Sequence, residues 1–227
     1  MSSNKNQPYH HGNLKQALIE AYIDLLPSTP PEKLSLRKLA SHLGVAATAV
    51  YNHFSSKDEL TTAVKVRCLN HLANYLDHGY NEAFSAEQNL NNLAKLYFRY
   101  SLNHAEFFKV IFSSHSSPEY RSEELAKAGM RAEENLQRSI AQLLTEHGIP
   151  ANQFNEGMGV FATWSMAHGI TTLAAVHVNH AACANDRWPP EFLLNDENAV
   201  NASFEIMTKV LINGIIAVAR EGHTPGS

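Results

Sequence analysis

The fold of this chain is decided by residues 35–60, which read SLRKLASHLGVAATAVYNHFSSKDEL. The spacing of Ala40, Gly44 and Val50 predicts a helix-turn-helix. The small Ala40 lets a second helix come close, Gly44 can adopt the left-handed backbone of a tight turn, and Val50 packs behind it. The exposed face of the second helix of such a pair enters the major groove of DNA. On these residues alone, an ordinary helical hairpin is the alternative.

Helix signals lie on both sides of this motif. Apolar residues at helical spacing predict a first helix from Leu14, and Ser35 can cap the second helix. A third, short helix is expected from about residue 47 to residue 54. Ser56 and Glu59 form a Ser-x-x-Glu capping box, which predicts the start of a long fourth helix.

The rest of the chain is also predicted to be helical. Apolar spacing indicates a long and a shorter helix over 86–114, and further helices over 119–147 and 152–180. A last helix is expected from about Asp196. No stretch alternates as a β-strand does, so the sequence predicts an all-α fold with a three-helix N-terminal helix-turn-helix domain.

Composition and charge narrow the class of protein. Of the 227 residues, 44% are apolar and 18% are charged, which excludes a mostly disordered chain. The net charge is −4, but it is unevenly distributed. Residues 1–80 carry 8 Lys+Arg and 6 Asp+Glu, a net charge of +2, whereas residues 81–227 carry 10 and 16, a net charge of −6. The mildly basic N-terminal part is therefore where a nucleic-acid partner is expected.

Several classes of protein are not indicated. Two cysteines, Cys68 and Cys183, are too few for a disulfide framework, and the polar N-terminus lacks a signal peptide, so a cytoplasmic location is expected. The stretch between Glu156 and Asp186 has no charged residue, but its histidines and hydroxyl residues favour a buried helix over a membrane span. Motifs for phosphate loops, nucleophile elbows and paired metals are absent, so neither an enzyme nor a cofactor is expected.

Three stretches of the sequence resemble one family. Residues 44–60, GVAATAVYNHFSSKDEL, resemble the signature of TetR-family transcriptional regulators, and the likeness extends over residues 10–64. Residues 9–14, YHHGNL, and residues 164–169, WSMAHG, resemble a subgroup with a Trp…His-Gly signature in its C-terminal domain. The resemblance implies a helical-bundle C-terminal domain that dimerises and often holds a small-molecule pocket.

Motif and resemblance together predict the domain organisation. We expect a disordered tail over residues 1–8 and a helix-turn-helix DNA-binding domain over 9–56. A connecting helix over 57–78 then leads to a ligand-binding and dimerisation domain over 79–222.

Nine residues are predicted to contact double-stranded DNA: Ser35, Arg37, Ala46, Ala47, Thr48, Tyr51, Asn52, His53 and Lys57. Lys57, in the first turn of the fourth helix, combines a cation with a helix N-terminus and favours a phosphate. Tyr51 and His53 resemble the family's phosphate-contacting and packing positions, and a mainly structural role is the alternative for each.

Base reading by the recognition helix is expected to be thin. The family often has Ser or Thr where Ala46 stands, and the positions that follow often carry polar or basic side chains. Here Thr48 is the main polar group, while alanine methyls can meet thymine methyls. Lys15, His10 and His11 are expected to form an arm over an adjacent groove.

A ligand pocket and a dimer interface are predicted in the C-terminal part. Aromatic residues of a mostly apolar cavity, with one histidine, are the candidate ligand contacts: Tyr97, Tyr100, Phe108, Phe112, Phe161, Trp164 and His168. The regular apolar stripe of the last helix is the candidate dimer interface: Val200, Phe204, Met207, Leu211, Ile215 and Val218. Core packing within one chain is the alternative for both sets.

The sequence therefore predicts a homodimeric repressor of a pseudo-palindromic operator, released by a small apolar or aromatic ligand. Three alternatives stay open. One is a DNA-binding regulator that needs no ligand. Another is a metal sensor, for which His177, His180 and Cys183 have helical spacing but no fourth ligand. The third is a helical small-molecule carrier, which leaves residues 35–60 unexplained.

Overall fold

The computed structural model describes residues 13–113, 122–179 and 189–222, and within these ranges the chain forms α-helices and short 3-10 turns without a β-strand. The helices are α1 (Leu14–Leu25), α2 (Leu36–Leu43), α3 (Ala47–Tyr51), α4 (Lys57–Leu76), α5 (Ala86–Asn103), α6 (Ala105–Phe112), α7 (Glu123–Glu146), α8 (Gln153–Asn179) and α9 (Glu197–Glu221). The predicted all-α fold class is confirmed.

Local sequence determines where several helices begin and end. The side-chain oxygens of Asn13, Ser35 and Asp196 each accept the backbone N–H three residues further on, at 3.2, 3.2 and 2.8 Å, and so cap α1, α2 and α9. Gly44 ends α2 with a φ of 68°, in the left-handed region that a residue without Cβ enters at little steric cost.

The start of α4 contains the predicted cap at Ser56 and two further hydrogen bonds of Glu59. The Ser56 hydroxyl accepts the backbone N–H of Glu59 at 3.1 Å, as predicted. The Glu59 carboxylate accepts the backbone N–H and the hydroxyl of Ser55, both at 2.7 Å. These hydrogen bonds hold the pKa of Glu59 below its usual range. Ser56 therefore caps α4 as the pattern indicates, and Glu59 also ties the preceding Ser55 to the first turn of the helix.

The chain divides into two compact units. The described residues up to Leu69 and those of Glu106–Ala128 form the N-terminal unit. Its core contains the fully buried Tyr22, Phe54 and Val50, together with Val110 of α6. The sequence predicts one domain over residues 79–222, whereas α6 packs with the helix-turn-helix core. The reason is that an apolar helix face does not specify which core covers it.

The C-terminal unit contains Asn70–Ala105 and the described residues from Gly129 onward. Its core includes Leu90 of α5, Ile140 of α7 and Ile215 of α9. Gly159 of α8 lies so close to α7 that an added Cβ would stand 2.6 Å from Cγ2 of Ile140. A residue without a side chain at position 159 therefore lets α8 pack closely on α7.

By length and composition, α9 is the one helix among the described residues that could span a membrane, and part of it is buried inside the chain. The uncharged stretch of α8 does not meet the same criterion. Helices in the core of globular proteins are often equally long and apolar, so the length and composition of α9 are weak evidence for a membrane span.

Candidate nucleic-acid interface

The turn between α2 and α3 is built as the sequence predicts. Ala40 and Val50 are buried, and the backbone N–H of Val45 donates to the carbonyl of Ala40 at 2.9 Å across the Gly44 turn. This bond closes the end of α2 and fixes the direction in which α3 leaves it. The spacing of small residue, glycine and valine therefore sets the angle between the two helices.

The face of α3 that does not pack on α2 is open. The predicted contact residues are exposed at Ser35, Arg37, Ala46, Thr48, Tyr51, Asn52 and His53, and half-buried at Ala47 and Lys57. Tyr51 is 48% exposed, which is unusual for a large aromatic side chain that serves only the core. Phe54, three residues further on, is fully buried. The exposed face of this short helix can therefore reach a partner without unfolding the unit.

The beginning of α3 lacks a side-chain cap. Ala46 occupies the N-cap position with extended backbone, at φ −65° and ψ 139°, but its methyl group accepts no hydrogen bond. Ser or Thr at this position would satisfy a backbone N–H of the first turn. Alanine at this position makes the surface less polar, consistent with the expectation of thin base reading.

Lys57 makes a contact that the sequence does not indicate. Its ammonium donates to the carbonyl of Pro31 at 2.7 Å and so ties the first turn of α4 to the loop before α2. An ammonium has three N–H donors, so this bond leaves capacity for a phosphate. The residue thus stabilises the loop next to the candidate interface, and its predicted DNA contact stays a prediction.

The predicted arm is described only in part. The ammonium of Lys15 lies 5.8 Å from the centroid of the Phe54 ring, a cation–π distance that fixes the side chain against the core. His10 and His11 lie outside the described residues.

Two polar contacts of α4 stabilise the N-terminal unit. The sequence does not predict them, because the two residues of each contact are far apart in the chain. Lys65 is 6% exposed, and its ammonium donates to the carbonyl of Ser113 at 2.7 Å. Burial lowers the pKa of Lys65. Arg67 donates to Glu20 of α1 at 2.9 Å. These contacts attach the middle of α4 to α1 and to the end of α6.

Three of the seven predicted ligand residues contact one another. Tyr97, Trp164 and His168 come together: the Tyr97 hydroxyl lies 2.8 Å from His168 Nδ1, and the Trp164 and His168 ring centroids are 6.2 Å apart. Burial raises the pKa of Tyr97, so its hydroxyl stays protonated and can donate to the imidazole.

The other four predicted ligand residues have the following surroundings. Tyr100 packs with His71, Tyr75 and His104, and its hydroxyl lies 3.2 Å from His71 Nδ1. Phe108 and Phe112 form a ring pair on α6 with centroids 4.7 Å apart, within the N-terminal unit. Phe161 is 68% exposed. The assignment of these seven residues to a ligand site stays a prediction.

The predicted dimer stripe of α9 mostly faces the chain's own core. Val200, Phe204 and Ile215 are buried, Met207 and Leu211 are half-buried, and only Val218 of this set is exposed. The Phe204 ring packs at 5.8 Å, centroid to centroid, against Phe98 of α5. The three buried side chains are therefore corrected to intrachain core, because periodicity detects a buried face without identifying what covers it.

The metal alternative gains no support from the described residues, which contain no cluster of three or more His, Cys, Asp or Glu side chains placed to hold an ion. His180, Cys183 and the side chain of His177 lie outside the described residues. Cys68, at the centre of the N-terminal core, has its pKa raised to about 12 by burial, so its thiol is a poor metal ligand at neutral pH.

Comparison with known families covers both units. Residues 15–64 match the bacterial regulatory proteins of the tetR family, and residues 90–186 match the tetracyclin repressor-like C-terminal domain. Together the two matches span more than half of the chain. No curated protein matches it.

Solved structures share the fold over nearly the whole chain. A protein with unknown function from Rhodococcus sp. RHA1 has a TM-score of 0.68 at 23% identity, covering 92% of this chain and 98% of that one. A bacterial regulatory protein in the tetR family from Rhodococcus RHA1 has a TM-score of 0.57 at 17% identity, covering 87% and 96%. The TetR family transcriptional regulator PfmR from Thermus thermophilus has a TM-score of 0.54 at 20% identity, covering 86% and 97%.

The exposed face of α3, the turn that fixes it and the two family matches lead to one conclusion. The chain belongs to the tetR family of bacterial regulatory proteins and is a DNA-binding transcriptional regulator.

Proposed function

We propose that this regulator is a homodimeric repressor that binds a pseudo-palindromic operator in the cytoplasm and releases it when a small molecule binds the C-terminal unit. The observation that carries the DNA-binding part is the solvent-exposed face of α3. Thr48 and Tyr51 lie on this face, and Asn52 follows directly at the end of the helix. The opposite side of the helix, at Val50, is fully buried.

The side chains divide into two kinds of DNA contact. Thr48 can hydrogen-bond a base edge, and the methyl group of Ala46 can meet a thymine methyl in the major groove. Tyr51, His53 and Lys57 carry groups that donate to phosphate oxygens. Because few of these groups distinguish one base from another, a single copy reads a short and weakly specified sequence.

A second copy of the chain would therefore increase the affinity and the sequence discrimination of DNA binding. Two readers on one rigid dimer contact two half-sites, and the second contact adds to the first at high effective concentration. Half-sites one helical turn apart, roughly 34–36 Å, would match this arrangement.

The face proposed for dimerisation shares only Val218 with the stripe that the sequence indicates. On α9, Ile206, Val210 and Val218 are exposed, and on α8 Phe161 and Leu173 are exposed. Helices α8 and α9 pack on each other within the C-terminal unit. Two packed helices with exposed apolar side chains suit a four-helix bundle formed with a second copy.

Ligand control requires a ligand that prefers one conformation of the dimer. A ligand with equal affinity for the DNA-binding and the released state shifts nothing, whereas differential affinity shifts the population. Helix α4 begins with Lys57 in the N-terminal unit and continues beyond Leu69 into the C-terminal unit. A continuous helix shared by both units is a suitable element to couple them.

The test is selection of DNA by the purified full chain. Genomic fragments of the source organism are incubated with the protein near physiological salt, retained and sequenced, with a Thr48→Ala/Tyr51→Ala variant and an exposed Lys209→Ala control. We expect wild type and control to enrich a pseudo-palindrome and the α3 variant to lose it. Retention of unrelated fragments alone, in a strongly salt-dependent manner, would contradict operator reading.

A further inference from the structure

The C-terminal unit contains a cavity of about 440 Å³ bounded by α5, α8, the start of α9 and the segment before α9. Apolar side chains form most of its wall, among them Phe98, Leu102, Ala174, Leu194 and Val200. The volume lies within the roughly 300–1,000 Å³ of small-molecule sites. None of the seven aromatic and histidine residues predicted from the sequence is among its lining residues.

One wall of the cavity is held in a strained conformation. Leu194 has a φ of 54°, and it is the single non-glycine residue with positive φ in the part of the chain that the structure describes. Its side chain is nevertheless buried. The preceding segment is anchored on α9, because the hydroxyl of the buried Ser203 donates to the carbonyl of Glu191. Strain that the surroundings hold in place is typical of preformed binding sites.

Two cations stand at the rim of the cavity. Lys95 and Arg99 lie one turn apart on α5, and both belong to the lining. The Arg99 guanidinium donates to the Glu197 carboxylate at 2.7 Å, and the Lys95 ammonium donates to Glu205 at 3.1 Å. A planar guanidinium fork matches a carboxylate with two donors. A carboxylate of the chain itself thus already occupies the position that an anionic ligand group would take.

The Glu197 carboxylate can leave this position without becoming an unpaired buried charge. The side chains of Arg99 and Glu197 are 48% and 73% exposed, and exposed ion pairs contribute little to stability. Glu197 also lies in the first turn of α9, where the helix N-terminus favours a negative charge independently of Arg99. Asp196, at the same rim, keeps its carboxylate on the backbone N–H of Ala199.

We propose that this cavity binds an amphipathic monocarboxylate. Its apolar chain would lie against Phe98, Leu102 and Leu194, and its carboxylate would replace that of Glu197 on Arg99, with Lys95 as a second cation. The assignment of this cavity as the effector site rests on the ligand control proposed above.

The test measures binding of decanoate, decanol and decylamine to the full chain by isothermal titration calorimetry. We expect decanoate to bind about tenfold or more tightly than the other two, because only its head group matches Arg99. Arg99→Gln removes this preference and leaves decanol binding unchanged. Arg138→Gln, which breaks an exposed guanidinium–Glu134 pair on α7, is the matched control and keeps the preference.

A second variant, Ala174→Phe, fills the cavity and is expected to abolish binding of both decanoate and decanol, with circular dichroism confirming that the helices are retained. Equal affinity of the wild type for the three probes, or undiminished decanoate binding by Arg99→Gln, would overturn the proposal. If the protein retains its DNA fragments but does not bind decanoate, the site is contradicted and the operator reading stands. Decanoate binding that leaves DNA retention unchanged sustains the site and contradicts the proposed release.

Discussion

The short helix α3 and the long helix α9 differ in how their sequence patterns relate to their surfaces. Helix α3 has five residues, and the signals that set its exposed face, Gly44 and Val50, lie within a few positions of it. Helix α9 has 25 residues and a regular apolar stripe, yet that stripe covers the chain's own core at Phe204. Local geometry thus fixes what a short helix exposes, while a stripe on a long helix does not reveal its partner.

The largest expected effect tests the buried side of α9. Phe204→Ala should lower the free energy of unfolding by about 3–5 kcal/mol, because it empties a fully buried aromatic site. Urea denaturation followed by circular dichroism measures the change. Lys209→Ala, at an exposed position of the same helix, should change stability by no more than about 0.5 kcal/mol. Similar losses of unfolding free energy in the two variants would contradict the division of α9 into a buried and an exposed face.

The next effect tests the exposed side of α9. Val210→Asp should weaken the proposed dimer by on the order of 100-fold, because two-fold symmetry buries two uncompensated carboxylates. Sedimentation equilibrium measures dissociation, and Lys209→Asp, at the neighbouring exposed position, is the control. If Val210→Asp dimerises like the wild type while Phe204→Ala dissociates, the proposed face would be wrong. The interface would then be the apolar stripe of α9 that contains Phe204.

Short-range signals account for what could be predicted of the fold. Caps at Ser35 and Asp196, the turn at Gly44 and apolar spacing place the helices to within a few residues. The assignment of α6 to the N-terminal unit could not be predicted, because Val110 would suit any apolar core. Packing between distant segments decides such questions, and periodicity along one segment does not record it.

The candidate sites divide in the same way. The exposed residues of α3 could be named from the motif, whereas the Lys57–Pro31 and Lys65–Ser113 contacts join residues far apart in the chain. The cavity beside Arg99 was missed because its walls come from three helices and from the strained backbone at Leu194. The family signature at Trp164 and His168 does coincide with one real contact, the bond to Tyr97.

A smaller effect tests the missing cap of α3. Ala46→Ser should raise the free energy of unfolding by about 1 kcal/mol, because the hydroxyl can accept a backbone N–H of the first turn. Thermal and urea denaturation measure the gain. Ala49→Ser, inside the same helix, is the control and should not stabilise the protein. Equal gains would show that the effect does not come from capping.

The smallest effect is a pH dependence in the C-terminal unit. The Asp77 carboxylate accepts hydrogen bonds from Arg131 at 3.1 and 2.5 Å and from Asn135 at 2.8 Å, and Arg131 holds the pKa of Asp77 below its usual range. A lowered folded-state pKa stabilises the protein above the unfolded value of about 3.9, and this contribution is lost as the pH falls through the folded value.

Asp77→Asn should therefore flatten the fall of unfolding free energy below pH of about 3.9. The effect should be at most about 1 kcal/mol, because the pair is partly exposed. Arg131→Gln should flatten it likewise. An unchanged pH dependence in Asp77→Asn would refute the contribution of this pair.

The measurement that tests the central claim most directly is fluorescence anisotropy with the DNA fragment selected by the protein and a scrambled fragment of equal length. Wild type should prefer the selected fragment, and Thr48→Val, which loses only a hydroxyl from the exposed face of α3, should lose about tenfold of that preference. Asn103→Ala, an exposed change in the C-terminal unit, should keep it. Equal binding of both fragments by the wild type, or an undiminished preference in Thr48→Val, would contradict the claim that α3 reads the operator.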